Sequence, residues 1–228
     1  MFISIQTFPI KACSMPICSF TKLSKHSAYL LWRIDEPEAL LARASTADIL
    51  AEPAYKKLTH PRRRREWLAA RLALKELLNA LGHNYTKLQK DTWGRPFLAN
   101  SHMHLSIAHC ASFALAAVAQ DSPIGVDIQL PCRKLQNVRE KFLDEDEVKD
   151  GGNDVEKLCI YWCAKEAIYK AHGGKRLSLK DDIRIQGFTK SKQGIVWGEV
   201  KTSPFVVHYS FYNHHVLAWS KAACLHSG

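Results

Sequence analysis

Apolar residues in the first half of the chain form strand-like runs separated by helical patterns. AYLLWRI, at residues 28–34, is bulky and apolar enough for a buried strand, and a helix is predicted over residues 37–44. From residue 61 to residue 81, apolar positions recur at helical spacing, and Gly82 follows as a stop signal. MHLSIAHC and SFALAAVA then predict a hairpin with a bend at residues 110–112. The first half is therefore predicted to run strand, helices, hairpin.

The second half repeats this order of elements after a linker at residues 121–123. PIGVDIQ predicts a strand, residues 133–148 predict a charged helix, and residues 158–172 predict a longer helix that stops at Gly173. GIVWGEV, FVVHYSFY and HHVLAWS complete the chain as strands, the last two as a hairpin. Because the two halves share this order, we infer an internal duplication.

The predicted fold class is α+β, with two similar α/β subdomains related by a pseudo-twofold axis. Each subdomain is expected to pack a small antiparallel sheet on its long helix. Residues 1–27 show no clear periodicity and are treated as an N-terminal tail of unknown order. Residues 28–120 are predicted to form the N-terminal subdomain, and residues 123–220 the C-terminal subdomain.

The charge of the chain indicates the chemistry of its partners. Its 228 residues include 32 Lys and Arg against 22 Asp and Glu, for a formal net charge of +10 at pH 7. Anionic partners are therefore favoured: nucleic acid, a membrane surface, a phosphorylated cofactor or an acidic protein. The seven cysteines contain no CxxC pair, which argues against a disulfide framework and against a structural zinc site.

The same features predict a cytoplasmic protein. Scattered cysteines without a disulfide pattern favour a reducing compartment. No apolar run approaches the roughly 18 residues of a membrane span. The N-terminus lacks the basic segment that begins a signal peptide. No membrane partner is expected.

Four residues of the second half together outline a site for a diphosphate. Asp127 and Gln129 lie two apart on a predicted strand and share one face, which alone is more typical of a polar edge strand. Glu166 and Lys170 have the i, i+4 spacing of an ordinary surface ion pair. Taken together, Asp127 and Glu166 offer oxygen ligands suited to Mg²⁺, which commonly binds one or two carboxylates plus substrate phosphates. Lys170 could reach the same phosphates as a point charge.

These residues stand in motifs that resemble those of the 4′-phosphopantetheinyl transferases. The family pattern G-[IV]-D-x-[EQ] reads GVDIQ at residues 125–129, and W-x-x-K-E-[AS]-x-x-K reads WCAKEAIYK at residues 162–170. Upstream, WGRPFL is similar to the family's G-[KR]-P turn and LSIAHC to its Ser-His run, with Ala108 in place of the serine. The length and apparent duplication resemble the larger, monomeric, pseudo-twofold type that activates surfactin synthetase and similar carriers. The resemblance extends over residues 28–220.

The resemblance implies transfer of 4′-phosphopantetheine from coenzyme A to a serine hydroxyl of an apo acyl or peptidyl carrier protein, with release of 3′,5′-ADP. It implies that Asp127 and Glu166 hold Mg²⁺, or alternatively Mn²⁺, and that Glu166 takes the proton from the serine. Gln129 stands where many members have a third acid, so its amide oxygen or a water is expected as the substitute ligand. Lys170 is implied to stabilise the departing α-phosphate.

Coenzyme A binding is likewise implied for several basic residues. Their common feature is a position at or near a residue with which the family holds the phosphates or adenine: Lys57, Arg62, Arg95, His109, Lys165 and Lys170. For Lys165, a structural ion pair is the alternative. The block Arg62–Arg65 (residues 62–65) begins a helix, where the dipole favours anions, so that a bound phosphate is one interpretation and a solvated basic helix end the other.

Two other functions stay open on the sequence alone. The net charge and the arginine block are compatible with a nucleic-acid-binding protein, although no helix-turn-helix, zinc finger or RNP-type strand is present in the sequence. A Mg²⁺-dependent nucleotide pyrophosphatase could use the same diphosphate site with water as the nucleophile. The transferase hypothesis predicts an acidic carrier protein as the partner. It does not predict binding to nucleic acid, and it predicts a monomer.

Overall fold

The computed structural model describes residues 16–173 and 176–222. They divide into two compact units, here called unit 1 and unit 2. Unit 1 contains the described residues up to 91 together with 96–121, and unit 2 contains residues 92–95 together with the described residues from 122 onward. Each unit is α+β and packs an antiparallel sheet on its longest helix, which confirms the predicted fold class.

Unit 1 builds its main sheet from strands that lie far apart in the chain. Its strands are β1 (Ile17–Ser24), β2 (Ser27–Arg33), β3 (Leu88–Lys90), β4 (Pro96–Leu98), β5 (His104–His109) and β6 (Phe113–Ala119). Its helices are α1 (Glu38–Ala44), α2 (Ala47–Ala51), α3 (Pro53–Lys56) and α4 (Pro61–Ala80). The main sheet has the order β1-β2-β6-β5, and β3 pairs separately with β4. The apolar side of α4 packs against β2 and β6.

The first strand lies in the segment whose order the sequence leaves open. β1 pairs antiparallel with β2 at the edge of the sheet, with Phe20 opposite Leu30. Phe20 and Leu23 are buried, whereas the positions between and beyond them include exposed polar residues. The apolar periodicity of this strand is weak because the adjacent residues Phe20 and Thr21 are both buried and the pairing register shifts between Lys22 and Ser24, so the pattern alone does not reveal the strand.

Unit 2 has a larger sheet and the second long helix. Its strands are β7 (Ile124–Gln129), β8 (Ile183–Ile185), β9 (Gln193–Val200), β10 (Ser203–Tyr212) and β11 (His215–Ala222). Its helices are α5 (Lys134–Val138), α6 (Glu145–Gly151) and α7 (Val155–His172). The sheet has the order β7-β11-β10-β9-β8, and α7 packs mainly against β7 and β11.

The prediction of one charged helix over residues 133–148 is wrong. The segment contains α5, a 3₁₀ turn at Arg139–Lys141, and then the start of α6. Asp144 begins α6 with a capping box, in which its carboxylate accepts from the backbone N–H of Glu147 and the Glu147 carboxylate accepts from the backbone N–H of Asp144. Such a cap satisfies backbone donors at a helix start, so it interrupts a helix that charge and periodicity alone would continue.

The two units share their strand connections as well as the order of their elements. In unit 1, β2 precedes the helices and pairs antiparallel with β6, the second strand of the β5–β6 hairpin. In unit 2, β7 precedes the helices and pairs antiparallel with β11, the second strand of the β10–β11 hairpin. The similarity inferred between the halves of the sequence therefore extends to strand pairing.

Gly125 allows β7 to approach α7 very closely. A Cβ atom at this position would lie 1.9 Å from the backbone oxygen of Ala167 and 2.6 Å from the backbone nitrogen of Ala171. Only glycine permits this contact without a shift of the backbone. Because side chains alternate along a strand, Asp127 shares the α7-facing side with Gly125. Elsewhere, no helix within residues 16–173 and 176–222 is long and apolar enough to cross a membrane.

Candidate active site

Lys170 and Asp127 form an ion pair between α7 and β7. The Lys170 ammonium donates to Asp127 Oδ1 at 2.8 Å and to the Val126 carbonyl at 2.9 Å. Both side chains keep some contact with solvent, with 26% of Lys170 and 13% of Asp127 exposed. Burial lowers the pKa of Lys170, but the carboxylates of Asp127 and Glu166 outweigh it, so the pKa is raised overall. Lys170 is therefore a fixed positive charge.

Glu166 lies one helical turn before Lys170, on the same face of α7. Burial raises the pKa of its carboxyl, Lys170 lowers it, and Asp127 raises it again, with a raised pKa as the result. No hydrogen bond to this carboxylate is formed by the residues that the structure describes. A half-buried carboxylate without a hydrogen-bond donor can accept a proton or hold a cation.

Gln129 and Cys163 complete the surroundings of Asp127. Gln129 is half-buried at the end of β7, two residues after Asp127, and so projects from the same side of the strand. Cys163 is fully buried, and its thiol donates to the Val216 carbonyl at 3.6 Å. Burial, Cys159 and Asp127 all raise the pKa of Cys163, in this order, so the thiol stays neutral beside the carboxylate. Cys163 is a core residue.

The donor set at this position suits a hard cation with an incomplete protein shell. Asp127 and Glu166 supply two carboxylates, and the Asp127 carboxylate contributes to the raised pKa of Glu166. Within the described ranges, no group of three or more His, Cys, Asp or Glu side chains could hold a metal ion. Mg²⁺ commonly binds to proteins through one or two carboxylates and completes its shell with water and phosphate oxygens. The residues present therefore fit a Mg²⁺ ion that protein carboxylates and substrate phosphates would coordinate together.

Lys165 lies in an enclosed ion pair, the arrangement that the sequence leaves open as the alternative to coenzyme A binding. Its side chain is fully buried, and its ammonium donates to Glu147 Oε2 at 2.6 Å. It also donates to the carbonyls of Leu179 at 2.8 Å and Ile183 at 2.7 Å. These three acceptors match the three donors of an ammonium group, so none remains for a ligand. Burial lowers the pKa of Lys165 and raises that of Glu147, while their ion pair opposes both shifts.

Unit 1 contains a second group of polar side chains, here called the Glu66 cluster: Arg62, Arg63, Glu66 and His109. The Glu66 carboxylate accepts from Arg62 Nε at 2.7 Å and from Arg63 Nη1 at 3.1 Å. His109 Nδ1 lies 3.3 Å from Glu66 Oε2. The cluster thus joins the start of α4 to the end of β5. Lys57, also predicted to bind coenzyme A, is exposed at the end of α3 and has no described contact that ties it to this cluster.

The four arginines at residues 62–65 form two pairs that differ in exposure and in the groups they contact. Arg62 and Arg63 have 63% and 65% of their side chains exposed, whereas Arg64 is more enclosed, at 28%. Arg64 pairs with Glu38 and lies over the ring of Tyr55, and Arg65 donates to the Ile34 carbonyl at 3.1 Å. Arg64 and Arg65 therefore link α4 to α1, α3 and the end of β2. The sequence did not identify Glu66 as a functional residue, although its i, i+4 spacing from Arg62 is a signal for pairing.

Arg95 belongs to unit 2 and lies at the end of α7. Gly173 ends this helix in the left-handed region, with φ of +100°, and a Cβ atom there would lie 3.4 Å from Arg95 Nη1. A guanidinium near a helix C-terminus interacts favourably with the helix dipole. Lys170 occupies the last turn of the same helix. Thus unit 2 contains the predicted residues Arg95, Asp127, Gln129, Glu166 and Lys170.

Comparison with protein families gives two adjacent matches. The model of the 4′-phosphopantetheinyl transferase N-terminal domain matches residues 51–119. The model of the 4′-phosphopantetheinyl transferase superfamily matches residues 123–223. The first match includes the Glu66 cluster, and the second includes the Lys170–Asp127 pair and Glu166. A search of curated proteins found no match.

Proposed function

The chain belongs to the 4′-phosphopantetheinyl transferase superfamily, and we propose that it modifies an apo acyl or peptidyl carrier protein. The transferred group is 4′-phosphopantetheine, the donor is coenzyme A, and the acceptor is a serine hydroxyl. The products are the holo-carrier and 3′,5′-ADP. The observation that carries this proposal is the placement of Glu166, Lys170 and Asp127 together, because they provide a base and a cation beside oxygen ligands for a diphosphate.

In the proposed reaction, the serine oxygen forms a bond to the phosphorus that carries pantetheine. The bond from this phosphorus to the bridging oxygen of the diphosphate breaks, and 3′,5′-ADP leaves. Glu166 accepts the serine proton, for which its raised pKa makes it a better base than an ordinary carboxylate. Lys170, already fixed by Asp127, stabilises the charge that develops on the departing α-phosphate. Positioning contributes more than basicity, since a carboxylate is a weak base for an alcohol.

We propose Asp127 and Glu166 as ligands of Mg²⁺, with Mn²⁺ as the alternative and the Gln129 amide oxygen or a water as a further ligand. When bound, the ion would neutralise charge on the diphosphate. Because Gln129 replaces an acid, we expect the metal to bind less tightly, and with less selectivity, than at a site with three carboxylates.

Basic residues are proposed to contact coenzyme A. Arg62 and His109 are assigned to a phosphate group because they form part of a partly exposed basic cluster. Arg95 and Lys57 are assigned more generally to coenzyme A contacts. The acceptor is expected to be acidic, which complements the net charge of +10. We further propose that the protein acts as a monomer, because one chain contains both family matches. We propose a cytoplasmic location because the scattered cysteines favour a reducing compartment.

The test is intact-protein mass spectrometry of several apo carrier proteins after incubation with this protein, coenzyme A and Mg²⁺. We expect a phosphopantetheine mass gain that is lost with Glu166→Gln. The matched control is Glu156→Gln on the same helix, whose carboxylate pairs with Lys190 at 2.8 Å and lies outside the site; this variant should keep the activity.

Two results would contradict the proposal. Cleavage of coenzyme A to phosphopantetheine and 3′,5′-ADP, with every carrier unmodified, would indicate a pyrophosphatase. Absence of both transfer and coenzyme A binding, combined with salt-sensitive binding to duplex DNA, would favour a nucleic-acid-binding protein.

A further inference from the structure

Glu66 is a buried carboxylate in contact with two arginines and a histidine. Only 2% of its side chain is exposed, and both of its oxygens are engaged by the members of the Glu66 cluster. A buried carboxylate is costly unless it is paired, so this arrangement strongly favours one position for each partner. Arg62 and Arg63 come from α4, whereas His109 comes from β5, and Glu66 is the group that all three contact.

The two arginines keep donors available on their solvent side. Arg62 uses Nε for Glu66, and Arg63 uses Nη1. The described residues form no hydrogen bond with the two terminal nitrogens of Arg62 or with Nη2 of Arg63. Guanidinium groups whose position is fixed and whose remaining donors face solvent are well suited to a phosphate, since less side-chain entropy is lost on binding.

Another glutamate of unit 1, Glu52, shows an ion pair in which both side chains are largely enclosed. Glu52 and Arg71 have 11% and 9% of their side chains exposed, and Arg71 also lies over the ring of Trp67. Both members are thus enclosed. In the Glu66 cluster only the carboxylate is enclosed, while the arginines are 63% and 65% exposed. The Glu66 cluster presents its positive charge outward.

We propose that Glu66 is a positioning residue that holds Arg62, Arg63 and His109 for the 3′-phosphate of coenzyme A. This inference rests on the proposed function. A phosphate monoester carries roughly two negative charges near neutral pH, and two arginines held side by side complement it. Glu66 thereby sets the preference for coenzyme A over 3′-dephospho-coenzyme A, and Arg63 becomes a binding residue in addition to Arg62.

The test compares the two nucleotides in steady-state transfer kinetics and in calorimetric binding without carrier protein. For Glu66→Gln, we expect KM and Kd for coenzyme A to rise roughly tenfold or more, from the loss of a charge-assisted contact. The kcat, and the values for 3′-dephospho-coenzyme A, should change by less than about threefold. The matched control Glu52→Gln removes a structural carboxylate of the same unit and should leave the preference intact.

Arg63→Gln provides a second test, because 65% of this side chain is exposed and Arg62 remains as a partner of Glu66 in the variant. It should reduce the preference for coenzyme A, whereas Arg43→Gln, an exposed arginine of α1, should not. An unchanged preference in folded Glu66→Gln, or in Arg63→Gln if Glu66→Gln does not fold, overturns the inference. If the variant keeps the preference and the wild type still transfers phosphopantetheine, the inference about Glu66 is wrong but the proposed function is unaffected. Conversely, binding that shows the preference without any transfer supports the role of Glu66 and contradicts the transferase.

Discussion

Two lysine–carboxylate pairs of unit 2 show how two lysines of one motif come to lie in different surroundings. Lys165 pairs with Glu147 at 2.6 Å, and Lys170 pairs with Asp127 at 2.8 Å. The first pair is enclosed, with 0% and 2% of the side chains exposed, whereas the second keeps 26% and 13% exposed. Residual exposure and the nearby Glu166 carboxylate distinguish the pair that can meet a ligand.

The geometry of α7 explains this difference. Residues five apart on a helix lie about 140° apart around its axis, so Lys165 and Lys170 point to different neighbours. Lys165 reaches the carboxylate of α6 and carbonyls near β8. Lys170 reaches β7, which Gly125 allows to lie close to the helix. A motif that reads as a continuous charged sequence therefore supplies two separate sets of contacts.

The largest expected effect is the loss of protein stability when the enclosed Lys165–Glu147 pair is broken. Lys165→Ala leaves the Glu147 carboxylate buried without its cation, and we expect the free energy of unfolding to fall by about 3–5 kcal/mol. Lys170→Ala should reduce it less, because Asp127 can be solvated. Urea unfolding of both variants measures the difference.

A double variant separates the charge from the packing at this pair. Lys165→Met combined with Glu147→Leu removes both charges and should recover part of the lost stability, since well-packed apolar residues can replace a buried pair. The Ile185 N–H, which donates to Glu147 at 2.8 Å, would lose its acceptor and limit the recovery. A loss of less than about 1 kcal/mol in Lys165→Ala would show that the enclosed pair contributes little.

The next effect concerns catalysis by the more exposed pair. Lys170→Ala is expected to lower kcat for phosphopantetheine transfer by roughly 100-fold to 1,000-fold, as removal of a group that stabilises transition-state charge commonly does. The matched control is Lys157→Ala on the same helix, whose ammonium pairs with Asp150 at 2.9 Å and should not affect kcat. A rise in KM with unchanged kcat would instead show that Lys170 binds substrate and transition state equally.

The parts of the site that follow local patterns could be predicted from the sequence. The second long helix and its stop at Gly173 follow from periodicity and glycine, and the structure gives α7 the same end. Alternation placed Asp127 and Gln129 on one side of β7. These features depend on neighbouring residues, so the sequence contains the information in a readable form.

The choice of distant partners could not be predicted in this way. Lys165 is buried because α6 begins with a capping box that presents Glu147, and that helix start lay within a predicted continuous helix. Similarly, Glu66 meets His109 only because β5 returns beside the start of α4. Which charge is enclosed depends on packing between segments far apart in the chain, and no local pattern reports it.

A smaller effect on stability is expected at the contact that brings β7 to α7. Gly125→Ala places a Cβ atom 1.9 Å from the Ala167 carbonyl oxygen, so the backbone must shift. Such overpacking costs about 1–3 kcal/mol and should move Asp127 relative to Lys170, with loss of transfer activity. The Lys165–Glu147 pair does not depend on this contact. Urea unfolding and transfer kinetics measure the two consequences.

Gly187→Ala is the control for this substitution. A Cβ atom at Gly187 would be 3.5 Å from the Asp150 carboxylate, an ordinary contact, so stability should change by less than about 0.5 kcal/mol. If Gly125→Ala behaved like Gly187→Ala in both measurements, close packing of β7 on α7 would not be what positions the exposed pair.

The smallest effect probes the cap that presents Glu147 to Lys165. Burial raises the pKa of Asp144, but hydrogen bonds from the Glu147 N–H and from Arg184 outweigh it, so the pKa lies below its ordinary 3.8. A lowered pKa contributes stability that is present above the unfolded value and is lost as the pH falls through the folded value. Asp144→Asn keeps a capping oxygen and removes the charge, so we expect a cost of up to about 1 kcal/mol at neutral pH.

The pH dependence then separates the charge of Asp144 from its capping role. The stability difference between the wild type and Asp144→Asn should shrink as the pH falls from about 5 to about 2, because protonation neutralises the wild-type carboxyl. Asp146→Asn, at a side chain that is 81% exposed, should show a much smaller change. A difference that stays constant across this range would mean that the charge of Asp144 does not support the enclosed pair, and that capping geometry alone holds Glu147 in place.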